Sequence, residues 1–125
     1  MLVDIEHRED ICLVRFKGRF VTGTDRAYLT GKVVEIKNAR CARVLVDLQD
    51  VPYVDSTGIG FIVSVFTSVT KDSPGRFVLV GANKRVREVL DLTRLSTVIP
   101  MADDEAAGIA VLNVEGSEAA RAGTR

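Results

Sequence analysis

One junction constrains this chain more than any other segment. Val44-Leu-Val-Asp-Leu48 is an apolar run with little alternation, Phe61 to Val69 is an apolar run of helical length, and Val51-Pro-Tyr-Val-Asp-Ser-Thr-Gly-Ile-Gly60 lies between them. A strand that is apolar at successive positions is covered on both faces, so the first run reads as a central strand. The polar stretch must then turn a buried strand into a helix. Asp55, Ser56 and Thr57 are the residue types that offer a side-chain oxygen to the orphan amides of a first helical turn. Gly58 and Gly60 leave that turn without bulk, so another surface can approach its backbone closely. A serine hydroxyl placed there is exposed and lies where the helix dipole favours negative charge, which suits a phosphate acceptor. Most such clusters before a helix are caps and nothing more, and local chemistry alone favours that plainer reading.

The other segments arrange themselves around this junction. Leu2, Val3 and Ile5 alternate with charges, Arg8-Glu9-Asp10 interrupts, and Ile11 to Phe16 resumes, which predicts an antiparallel hairpin. In its second arm Cys12, Val14 and Phe16 share an apolar face, whereas Ile11, Leu13, Arg15 and Lys17 make a face that is only half apolar. Gly18 ends the arm. Thr22-Gly-Thr-Asp25 is a capping cluster before Leu29, Val33 and Ile36, the stripe of a surface helix of about three turns. Past the junction, Ile59, Ile62, Phe66 and Val69 form the expected inward stripe of the next helix. Asp72-Ser-Pro-Gly75 stops it, and Phe77 to Val80 is a second buried strand ending in Gly81. Asn83 caps a short helix with Val86, Val89 and Leu90 inward. Thr97 to Ile99 reads as a short strand ended by Pro100, and Asp103-Asp-Glu105 opens a helix with Ile109 and Leu112 inward. Residues 115–125 carry no apolar periodicity and read as a flexible C-terminal tail, leaving one domain over 1–114. The expected fold is α/β: a mixed four- to five-stranded sheet with about four helices, mainly on one face.

Composition narrows the function classes. A length of 125 residues suits a single domain with a real core, and 17 basic residues balance 17 acidic ones. No basic block exists to hold nucleic acid or an anionic membrane, so a protein partner is expected, with no nucleic acid and no direct membrane insertion. The acidic start and the lack of a spanning apolar stretch predict a cytoplasmic chain. Cys12 and Cys41 lie in or beside apolar runs without histidines at metal-ligand spacing, and read as small buried hydrophobes. A hydrolytic role for Ser56 would need a base, yet His7 is the sole histidine, reads as a surface residue, and no Gly-x-Ser-x-Gly elbow is present. Gly58-Ile-Gly60 lacks the third glycine of a dinucleotide loop, Val63 standing in its place. Asp47, at a strand end, lacks the acidic pair that would hold magnesium in a receiver-type phosphoacceptor site, and reads as structural. No catalytic residue, metal or cofactor is expected.

The stretch Val51 to Gly60 resembles the signature of the STAS domains that act as bacterial anti-sigma-factor antagonists, in which Asp-Ser-Ser/Thr-Gly-Leu/Ile-Gly follows a strand. Val44-Leu-Val-Asp-Leu48, Phe77-Val-Leu-Val-Gly81 and Val89-Leu-Asp-Leu-Thr-Arg-Leu95 are similar to the family as well, so the likeness runs over roughly residues 9–113. It implies phosphorylation at Ser56, with Thr57 the lesser candidate and Asp55 orienting the hydroxyl or its loop. It also implies an anti-sigma factor that is itself a serine-protein kinase as partner. The partner surface is then expected at Asp55, Ser56, Thr57, Gly58, Gly60 and Ser64, with Gly18, Thr22 and Thr24 beside it. Two departures stand out. Gly18-Arg-Phe-Val21 replaces the usual Gly-Glu-Leu/Ile-Asp and loses both acids, and Arg94 replaces the usual glycine before Leu95. The other class the resemblance leaves open is a non-switching STAS scaffold subunit of a larger signalling or transport assembly, in which Ser56 is only a cap.

Overall fold

The chain enters as a hairpin and then alternates helix with strand. In the computed structural model, which describes residues 2–8, 10–18, 26–70 and 76–113, the order is β1 (Leu2–Arg8), β2 (Ile11–Lys17), α1 (Arg26–Ala39), β3 (Arg43–Asp50) and α2 (Ser56–Thr70). β4 (Arg76–Val80), α3 (Lys84–Leu92), a 3₁₀ turn (Leu95–Thr97), β5 (Met101–Ala102) and α4 (Glu105–Asn113) follow. The five strands lie side by side in chain order, β1 antiparallel to β2 and every later pair parallel. Right-handed crossovers that always step the same way deliver their helices to one face. Accordingly, residues of α1, α2 and α3 share one core with Val14, Val44, Val46 and Leu79 from the sheet.

α4 comes after the last strand and is free of that rule. It covers the opposite face, where Leu112 is buried with Ile11, Leu13, Leu45, Val78 and Val80. The face expected to be half covered is therefore closed over β3 and β4, and three of the four helices lie on the other side, as the sequence predicts. Close approach is possible because of Gly108: a Cβ there would lie 2.9 Å from Leu45 Cδ1 and closer still to Val80. Asp104 starts the helix by accepting a hydrogen bond from the Ala107 amide at 2.8 Å. Arg15, the polar residue of that face, is met by an acid on each side, its Nη1 donating to Glu6 at 2.7 Å and its Nη2 to Glu105 at 2.8 Å.

Several details differ from the expectation. Thr97 to Ile99 is not a strand: Val98 is exposed, and pairing begins only past Pro100, whose carbonyl accepts from the Leu79 amide at 2.9 Å. A proline lacks only the donor, so it can open a parallel ladder from its acceptor side. Arg94 holds φ at 63°, the left-handed region where glycine is unstrained, so a side chain at this position carries a steric cost of about 1–2 kcal/mol. Cys12 and Cys41 are more than small core residues, because they are joined as a disulfide with Cα atoms 5.9 Å apart. His7 is exposed as expected, yet its Nδ1 lies 3.5 Å from Cys12 Sγ. The segment holding Thr22 and Thr24 and the 115–125 tail lie outside the described residues. Among those residues, no helix is long and apolar enough to cross a membrane.

The Arg15 network sets an acid response. Hydrogen bonds from Arg15 hold the Glu6 and Glu105 carboxyls below their ordinary value of 4.5. A carboxyl depressed in the folded state stabilises above its unfolded value and loses that contribution as pH falls through the folded one. Wild-type protein is expected to lose thermal stability as pH drops below about 4.5. Arg15→Gln is expected to start lower at neutral pH and to fall less on acidification. Parallel acid profiles for the two proteins would show that the network contributes nothing.

Candidate functional site

The junction is built by burying alternate ends of a short loop. Val51 and Val54 are each 1% exposed and pin the loop into the core, whereas Pro52 and Tyr53 point outward. The Asn83 side-chain amide donates to the Val51 carbonyl at 3.3 Å and to the Pro52 carbonyl at 3.2 Å. Its oxygen meanwhile accepts from the Val86 amide at 2.8 Å and caps α3. One residue thus starts a helix and clamps the loop. The sequence shows Asn83 only as a cap, since nothing local signals a bond across more than thirty positions. Arg85 adds its guanidinium over the Tyr53 ring, 5.4 Å from the centroid.

Of the three capping types, Asp55 takes the role. Its Oδ1 accepts from the Gly58 amide at 3.0 Å and its carbonyl accepts from the Ile59 amide at 2.9 Å, the geometry of a residue just before the first helical turn. Ser56 is consequently the first residue of α2, exposed, at the positive end of the helix dipole. Thr57 is half-buried.

The inward face of α2 is rotated from the expected stripe. Gly58, Phe61, Ile62, Val65 and Val69 are buried, while Ile59 and Phe66 are only partly so. Apolar residues occupy so much of this helix that more than one stripe fits its spacing. Phe61 sets the outcome: its ring packs on Phe16 at the end of β2, centroids 5.1 Å apart. Gly58 accordingly belongs to the core and not to the outward surface expected of it. Gly60 and Ser64 are exposed as predicted.

Gly60 and Ser64, with Ser56, Thr57 and Phe61, form one wall of a cleft of about 340 Å³ whose other wall is Leu29, Thr30 and Val33 of α1. The α1 wall is absent from the sequence reading, because its residues have the spacing of an ordinary surface helix. A Cβ added at Gly60 would meet nothing within 4 Å, so the small residue is not demanded by packing. Gly18 sits at the same end of the sheet: its amide donates to the Asp50 carbonyl at 3.1 Å, and its φ of 94° is a conformation that favours glycine. Ser56 has no histidine at hand, since His7 lies at the opposite end of β2, paired with Cys12.

A family model described as STAS domain matches residues 3–108. The anti-sigma-B factor antagonist of Listeria monocytogenes is 34% identical over 90 residues, 69% of this chain and 78% of that protein. The crystal structure of an anti-sigma factor antagonist from Mycobacterium paratuberculosis superposes with a TM-score of 0.79 at 16% identity, covering 90% of this chain and 94% of the other. The Bacillus cell fate determinant SpoIIAA in its phosphorylated form superposes with a TM-score of 0.61 at 17% identity, covering 88% of this chain and 99% of the other.

The open surroundings of Gly60 make a direct forecast. Gly60→Ala is expected to raise the unfolding free energy by about 1 kcal/mol, the helix-propensity gain with no steric offset. Urea unfolding measures it, and a loss of stability would mean that a neighbouring group closes on this position.

Proposed function

This chain belongs to the STAS domain family, and we propose that it is an anti-sigma-factor antagonist switched by phosphorylation of Ser56. Unphosphorylated, it binds an anti-sigma factor through the start of α2 and the cleft beside it, and so frees a sigma factor. The partner, a serine-protein kinase, supplies ATP and catalysis, while this chain supplies the hydroxyl. The observation that carries the reading is the division of labour at the junction: Asp55 makes the cap, and Ser56 stands exposed on the rim of an open cleft. The similarity to proteins named anti-sigma-B factor antagonist and anti-sigma factor antagonist supports the partner class.

The energetics suit a switch. A phosphoserine carries about −1.5 to −2 charges near neutral pH, and a helix N-terminus accommodates such a charge without unfolding. In a closed interface the same charge must be desolvated against a surface shaped for a neutral hydroxyl, with Asp55 adding like charge. A penalty of about 3 kcal/mol lowers affinity more than a hundredfold. Gly58 shapes this turn from inside, while Gly60 and Ser64 keep the contact face low. The half-buried Thr57 is a weaker acceptor than the exposed Ser56.

Incubation with a cognate anti-sigma kinase and ATP, followed by peptide mapping, is expected to place one phosphate on Ser56. Ser56→Ala is expected to bind the kinase like the unmodified protein, and Ser56→Asp at least about tenfold more weakly, a deficit of about 1.4 kcal/mol. Modification elsewhere, or equal binding by both variants, would move the chain to the scaffold class.

A further inference from the structure

Away from the Ser56 end, three side chains with soft-metal chemistry converge. His7 and Cys12 are direct partners in the β1–β2 ladder, so both project from the face that carries Val14 and Phe16. Cys41 reaches them because β2 and β3 pair in parallel with Ile11 opposite Arg43, which sets the residues before β3 beside the start of β2. The His7 Nδ1 lies 3.5 Å from Cys12 Sγ and 3.9 Å from Cys41 Sγ, and the three ligand atoms fall within 4.8 Å of one another. Neither the fold nor the proposed switch needs a histidine there.

We propose that, with the Cys12–Cys41 disulfide reduced, His7, Cys12 and Cys41 hold one soft divalent cation, zinc by coordination preference. Tetrahedral zinc, with Zn–S about 2.3 Å and Zn–N about 2.0–2.1 Å, has N–S edges of about 3.6 Å and an S–S edge of about 3.8 Å. The two N–S separations already bracket that edge. Reduction lets the sulfurs part to the third edge by rotation of Cys41, whose side chain is half-exposed. A Cα separation of 5.9 Å is also ordinary for a bridge, so the same backbone serves both states. The balance is simple. A dithiol gives two electrons and two protons to the bridge and closes to its own disulfide, or a phosphine gives the two electrons and becomes its oxide with the oxygen of a water that supplies the two protons. The cation then displaces both thiol protons to water. Two thiolates and a neutral imidazole leave the loaded site without net charge. Cys12 is fully buried while His7 is exposed, so water reaches the fourth position from the His7 and Cys41 side. Bridge and cation exclude each other, because both claim the same sulfurs.

The test uses the full chain reduced with a phosphine, desalted without oxygen and titrated with cobalt(II), which reports the coordination that zinc would take. One equivalent is expected to produce a thiolate-to-cobalt charge-transfer band with tetrahedral visible bands, and zinc is expected to bleach both. Cys41→Ser, at a half-exposed position, is expected to fold by circular dichroism and to lose the charge-transfer band. His7→Ala is expected to keep the band and weaken binding by more than about a hundredfold, beyond the loss that removal of an outer-sphere partner alone would cause. No charge-transfer band in the reduced wild type, or a band unchanged in Cys41→Ser, would overturn the site.

Discussion

The hydrogen bond from the Gly58 amide to the Asp55 carboxylate is the contact on which the functional end of the molecule depends. A helix that begins directly after a buried strand has orphan amides close to the core, and they need an acceptor. If Ser56 supplied it, the hydroxyl would turn back into the helix end and a phosphate there would compete with the cap. With Asp55 in that role at 3.0 Å, Ser56 is displaced one position into the helix and outward. The loop ahead is held equally firmly, by buried Val51 and Val54 and by the Asn83 amide on the Val51 and Pro52 carbonyls. A negative charge added at Ser56 therefore meets a helix start that is already capped and anchored.

The sheet keeps its chemistry at opposite ends. Strands in sequential order place α1, α2 and α3 on one face, so the cleft between α1 and α2 opens next to the C-terminal end of β3, where open α/β sheets gather functional groups. The other end, where β2 and β3 begin, brings His7, Cys12 and Cys41 together. α4 and the Arg15 network close the remaining face. The cysteine end shares one core with α1, the helix that also forms one wall of the cleft.

Much of this was legible in the residues, for physical reasons that differ from element to element. Val44 to Leu48 is apolar on both faces, so a central strand was unavoidable, and the Asp-Ser-Thr-Gly sequence after it could only be a helix start. What escaped depended on tertiary contacts. α2 is so apolar that spacing alone offered several inward faces, and the Phe16–Phe61 contact selected one, turning Gly58 inward. β5 is two residues long, too short to carry a pattern, and it sits after the proline that was expected to end it. The cysteines lie 29 residues apart and meet only because β2 and β3 are parallel neighbours. Thr30 and Val33 line a cleft that exists only once two helices are placed side by side.

The central claim is that charge on Ser56 changes a surface and leaves the fold as it is. Amide NMR spectra of the Ser56-phosphorylated and unphosphorylated chain test it most directly. Shifts are predicted to be confined to residues 51–64 and the facing part of α1, with the amides of α4 and of β1 at its His7 end unmoved. Shifts spread through α4 and the sheet, or collapsed dispersion, would contradict a surface switch.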